Sequence, residues 1–163
     1  MRVRRLLLAT LSSLLALSGC AGLHEKTVPF VYLANGASDA TGVGATPQTA
    51  GYVFLITRKL DHRIPGVRLI NLGVPGAGID RIKEQVGLAQ QRGTTADLVT
   101  VWTGANDLVR GDDPRLFRDE LRDLRDLLRS LRDDISSTIV VANLPDITML
   151  PRFRASPHSL GDA

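Results

Sequence analysis

Three short stretches of the chain bring together residue types suited to nucleophilic chemistry. Gly36-Ala37-Ser38-Asp39 ends an apolar, strand-like run and opens a glycine-rich turn that reaches Gly44. Asn71-Leu72-Gly73-Val74-Pro75-Gly76 follows a second such run, and Gly104-Ala105-Asn106-Asp107 a third. A serine at the carboxyl end of a strand lies at the crevice edge of an open α/β sheet. A helix that follows would turn its N–H groups and positive dipole end toward the hydroxyl. Each stretch also has a plainer explanation: Ser38 as a helix cap, Gly76 as turn chemistry, Asn106 and Asp107 as capping or turn residues. Their order, each just after a strand, favours the chemical reading.

Competing motifs fail on spacing. Gly36-Ala37-Ser38-Asp39-Ala40 lacks the second glycine of a G-x-S-x-G elbow. Gly42-Val43-Gly44-Ala45-Thr46-Pro47 has proline where a dinucleotide fingerprint needs its last glycine, and no Walker lysine follows. No cofactor is expected.

The elements that must position these residues are legible from their periodicity. Residues 28–33, 67–72, 98–102 and 138–142 are β-branched and apolar nearly throughout, the pattern of a parallel sheet covered on both faces. Residues 48–60, 79–91 and 114–132 read as helices between them. The alternation predicts a doubly wound α/β sheet with right-handed crossovers. The last helix is the clearest: Pro114 suits its first turn, and Leu116, Phe117, Leu121, Leu124, Leu128 and Leu131 form an apolar stripe. Its alternating Asp and Arg residues read as a solvated face laced with ion pairs.

Residues 1–19 have the layout of an export signal, with Arg2, Arg4 and Arg5 before an apolar run too short to span a bilayer. Leu17-Ser18-Gly19-Cys20 matches the bacterial lipobox, whose cysteine is lipidated after cleavage. Cys20 is the only cysteine, so a disulfide within the chain is excluded. The expected protein is an exported lipoprotein anchored at Cys20, with residues 20–27 as tether. The leader holds three of the 20 basic residues and no acid, so the remainder balances the 17 acidic residues. The basic isoelectric point therefore implies no nucleic-acid partner. Roughly 140 residues remain, enough for one domain.

Taken in order, the three stretches resemble the blocks of the SGNH (GDSL-like) hydrolase family over residues 28–151. The resemblance implies a three-layer α/β/α, flavodoxin-like sheet in strand order 2-1-3-4-5, whose first three loops converge on one crevice. It implies a serine esterase acting on carboxylic esters, of lipids or acylated glycans, without metal or organic cofactor. Ser38 takes the nucleophile's place and adds its own N–H to the oxyanion hole, Gly76 donates a second N–H, and Asn106 donates its side-chain amide.

Two departures from the family pattern stand out. Ala37 replaces the aspartate that usually precedes the serine, and an acid follows the serine as Asp39. The family's base and its orienting acid come from an Asp-x-x-His block after a fifth strand, and none occurs up to Ala163. His24 falls in the tether, and His62 after a helix, at the opposite sheet edge from Ser38. His158 has Ala155 where the block needs its aspartate, and residues 152–163 read as a disordered tail. The expectation is a chain short of its last strand and helix, weak or inactive as an esterase. The alternative is a non-catalytic envelope lipoprotein that binds ligand in the same crevice. Without a fifth strand, Ile139, Val140 and Val141 would form an apolar edge prone to association.

Overall fold

The computed structural model describes residues 29–132, 136–144 and 146. Cys20, His24, His158 and Asp162 lie outside the described residues, as do the signal, the tether and the tail. Four strands, β1 (Val31–Gly36), β2 (Arg68–Asn71), β3 (Leu98–Trp102) and β4 (Thr138–Val141), form one parallel sheet in the order β2-β1-β3-β4. The first strand lies between the second and third, as the resemblance implies.

Alternation along β1 sends its side chains to two separate cores. Leu33 joins Val99 and Val101 of β3 beneath α2 (Ile79–Gln91) and α4 (Pro114–Arg129), where Ile82, Val86, Leu124, Leu128 and Leu131 are buried. Tyr32 and Ala34 face the other way, with Ala40 and with Val53 of α1 (Tyr52–Arg63). The result is the expected three-layer α/β/α arrangement. The edges are less covered than the apolar runs suggested: both ends of β2 are exposed, and Val140 and Val141 of β4 are 47% and 51% exposed.

Several boundaries differ from the sequence reading. β1 begins and ends three residues late, because its partners in β2 and β3 pair with Val31 through Gly36 and draw polar Asn35 into the sheet. The helix expected over 48–60 is a 3-10 turn, Gln48–Ala50, then extended Gly51, then α1. The helix expected to follow Ser38 is absent: residues 37–47 are turns and bends, and α1 starts at Tyr52. Ser38 therefore does not cap the helix that follows it. A six-residue helix, α3 (Ala105–Arg110), carries the third block, too short to show a periodicity.

α4 ends at Arg129, before the expected 132. Its charged face is solvated and ion-paired, Arg122 with Asp119 and Arg129 with Asp126 at i,i+3, and Lys83 of α2 with Asp123 at 3.0 Å. Leu116 is 65% exposed and leaves the apolar stripe, because its neighbour Phe117 takes the inward position on that turn.

Candidate active site

The three sequence blocks meet. Ser38, Ala77, Trp102 and residues 103–106 line one crevice of about 160 Å³ at the carboxyl ends of β1 and β3. Ser38 is half-buried there, Asn106 beside it. Gly76 is exposed and adjoins Ala77 in the wall. It has φ +79°, and the turn it makes is closed by Ala77 N–H donating to the Val74 carbonyl at 3.0 Å. An L side chain rarely adopts that conformation, which explains glycine at this position.

Side chains tie the loops together. Asn106 Nδ2 donates to the Ala77 carbonyl at 2.8 Å, so the third block holds the second in register. An amide NH2 has two hydrogens, and this bond takes one. Asp107, 3% exposed, accepts at Oδ1 from Ile79 N–H and from Arg110, both at 2.9 Å. The expected capping role is real, and the helix it caps is α2, 28 residues away in sequence. Gly104 starts α3 at φ +103°, and a Cβ there would stand 2.8 Å from Leu144 and 2.9 Å from Phe117. Only glycine allows β3 to turn into α3 against those side chains.

The nucleophile turn is held just as closely. Gly36 N–H donates to Asn35 Oδ1 at 2.9 Å, and Ala37 N–H to Asp39 Oδ1 at 3.1 Å. The Ser38 carbonyl accepts from Val43 N–H and from Thr41 Oγ1, each at 2.9 Å. Asn71 Nδ2 reaches the Ala40 carbonyl at 2.8 Å, joining the first block to β2. The N–H groups of Ser38 and Gly76 have no acceptor among the described residues.

Burial raises the pKa of Asp39 above the ordinary aspartate value, against the backbone N–H groups of Asp39, Ala37 and Ala40, which lower it. Its Oδ2 is buried without a partner. Tyr52, at the start of α1, lies within its field: burial first, then the Asp39 charge, raises the phenol's pKa. The Tyr52 ring packs edge-on against Trp102, centroids 5.7 Å apart. Trp102, the last residue of β3, is half-buried and lines the crevice. Tyr52 and Ala77 were not singled out in the sequence, and nothing in their types marks them.

No histidine lines the crevice among the described residues. His62 is exposed in the last turn of α1, ten residues and roughly 15 Å along the helix from Tyr52, at the sheet's far edge. No group of acids, histidines or cysteines among the described residues could hold a metal ion.

The model of the GDSL-like lipase/acylhydrolase family matches residues 35–162. The chain belongs to that family. Among solved structures it is similar to AlinE4, described as an SGNH-hydrolase family esterase, at 26% identity and TM-score 0.58, over 72% of this chain and 61% of that one. TesA, at 21% identity and TM-score 0.59, covers 76% of this chain and 66% of its own. A psychrotrophic esterase, EstA from Pseudoalteromonas sp., solved with monoethylphosphonate, is 21% identical with TM-score 0.56, over 76% and 64%. These last two share the fold. No curated protein sequence matches. The chain thus spans about three fifths of the length of AlinE4.

Proposed function

We propose that this GDSL-like hydrolase is a serine esterase that transfers the acyl group of a carboxylic ester to water through Ser38. In that reaction Ser38 Oγ attacks the carbonyl carbon, its proton passes to a base, and the carbonyl oxygen becomes negative. Collapse of the tetrahedral intermediate expels the alcohol and leaves an acyl-serine, which water hydrolyses by the same steps. The observation that supports this reading is that Ser38 and Asn106 line one crevice, with Gly76 next to its wall residue Ala77, and that the Ser38 N–H, the Gly76 N–H and one hydrogen of Asn106 Nδ2 have no acceptor among the described residues. Donors already fixed by the fold stabilise an oxyanion without reorganising.

No described residue lining the crevice is a histidine, so no base for Ser38 is assigned. Losing a triad base can cost on the order of 10⁶ in kcat, with the residual rate carried by the oxyanion hole and binding. Export and lipidation at Cys20 would place the domain at a membrane surface of the cell envelope, within reach of lipid esters or acylated glycans. The crevice without a histidine also favours a second reading, a lipoprotein that binds and does not turn over. Labelling with a fluorophosphonate separates the two. An enzyme reacts at Ser38 faster than at any surface serine, and a binding protein does not.

A further inference from the structure

Between Gly36 and Ala40 the chain makes a sharp reversal in which five successive N–H groups need acceptors or an exit to solvent. Gly36 N–H goes to its neighbour Asn35. The remaining four surround Ser38, and the carboxyl of Asp39 folds back among them. Its Oδ1 accepts from Ala37 N–H at 3.1 Å. Its Oδ2 lies over the strand end, 3.0 Å from where a Cβ on Gly36 would stand. The Ser38 N–H, next along the chain from the one the carboxyl holds, has no acceptor among the described residues.

We propose that Asp39 is the positioning residue of the nucleophile turn: its carboxyl holds the Ala37 N–H immediately ahead of Ser38 and so fixes the turn with the Ser38 N–H left to a substrate oxygen. This rests on the reading of Ser38 as nucleophile. It also gives physical content to the departure from the family pattern. With Ala37 in front of the serine, no carboxyl is available there, and the acid that follows the serine organises the turn from the other side. A peptide plane rotated by a few tens of degrees would aim the Ser38 N–H away from the crevice, and hydrogen bonds weaken steeply once bent below about 120°.

Amide NMR of the full chain tests this without substrate. The Ala37 amide should shift sigmoidally with pH, with a midpoint above the ordinary aspartate value of about 3.9. It should exchange slowly, and the Ser38 amide should exchange fast. The titratable group coupled to the Asp39 charge is Tyr52 from α1, itself coupled to Tyr32 from β1. Burial raises the pKa of both phenols, so neither ionises in the acid range. In Asp39→Asn, which keeps an acceptor of the same shape, the shift should vanish while Ala37 stays slow. In Asp39→Ala, Ala37 exchange should rise about tenfold or more, the loss expected for a hydrogen bond to a charged group, while the core amides of Ile82 and Val86 are unchanged. Should Asp39→Ala fail to fold, the wild type and Asp39→Asn still decide. An Ala37 amide that does not titrate, a titration that persists in Asp39→Asn, or a slowly exchanging Ser38 amide would each overturn the proposal. Failure of the chain to hydrolyse esters would count against the esterase reading alone, because the amide measurements need no turnover.

Discussion

Replacing Asp107 by alanine removes the carboxylate that joins the third block to the start of α2, and the cost can be worked from its contacts. Gly78 precedes α2 and has no side chain to cap it, so Asp107 Oδ1 supplies the acceptor for Ile79 N–H from 28 residues away. A buried hydrogen bond to a charged group contributes about 1.5–3 kcal/mol. The Arg110 partner is 44% exposed, so its ion pair adds no more than about 1 kcal/mol. Against these, Oδ2 is buried without a partner, a penalty of about 1–3 kcal/mol that the substitution relieves. The central values leave a net loss of about 1 kcal/mol. For a domain of this size that lowers Tm by roughly 3 °C, since 1 kcal/mol corresponds to about 3 °C near 150 residues. Thermal unfolding followed by circular dichroism measures it. Asp107→Asn, which keeps an acceptor, should lose about half as much. A Tm of Asp107→Ala at or above wild type would refute the assignment of Asp107 as the cap of α2.

Further outcomes follow from other contacts. Burial raises the folded-state pKa of Asp39, so its contribution to stability is fully present below the unfolded value and is lost as pH rises through the folded one. The Tm difference between wild type and Asp39→Asn should therefore move against wild type as pH rises above about 4, and a pH-independent difference would contradict this. Gly104→Ala forces an L residue to φ +103° against Leu144 and Phe117, and should cost about 2–5 kcal/mol in urea unfolding; a loss under about 1 kcal/mol would show that the turn relaxes. Val140→Lys places a charge on the β4 edge, where the valine is 47% exposed. It should reduce concentration-dependent association in light scattering and change stability by no more than about 0.5 kcal/mol. Equal association of variant and wild type would clear that edge.

Much of the fold was legible because it rests on local signals. β3 matches its apolar run end to end, and α2 matches its periodicity. β1 was misplaced by three residues because strand pairing, invisible in one sequence, recruits Asn35 and Gly36 and starts at Val31. The break at Gly51 was missed since an isolated glycine inside a helical pattern is ordinarily tolerated. At the site, the resemblance to the family's blocks named Ser38, Gly76 and Asn106; Ser38 and Asn106 line one crevice, and Gly76 adjoins its wall at Ala77. The supporting contacts were not readable. Asn106 to Ala77, Asp107 to Ile79 and Asp39 back to Ala37 depend on where side chains turn in space. The helix expected to follow Ser38 failed for a related reason: a glycine-rich turn signals a reversal without saying how soon a helix begins.

The claim at the centre of this account is that three loops aim donors at a developing oxyanion, and hydrolysis of p-nitrophenyl acetate by wild type, Asn106→Ala and Ser38→Ala tests it most directly. The wild type should exceed the buffer rate, and Asn106→Ala should lose about 10²–10³ of that excess, the usual consequence of removing one oxyanion donor. Ser38→Ala reports the base: a small further loss means the rate comes from the donors alone, and a loss near 10⁶ means a base is engaged. A wild type no faster than buffer, or an Asn106→Ala variant as fast as wild type, would contradict the account.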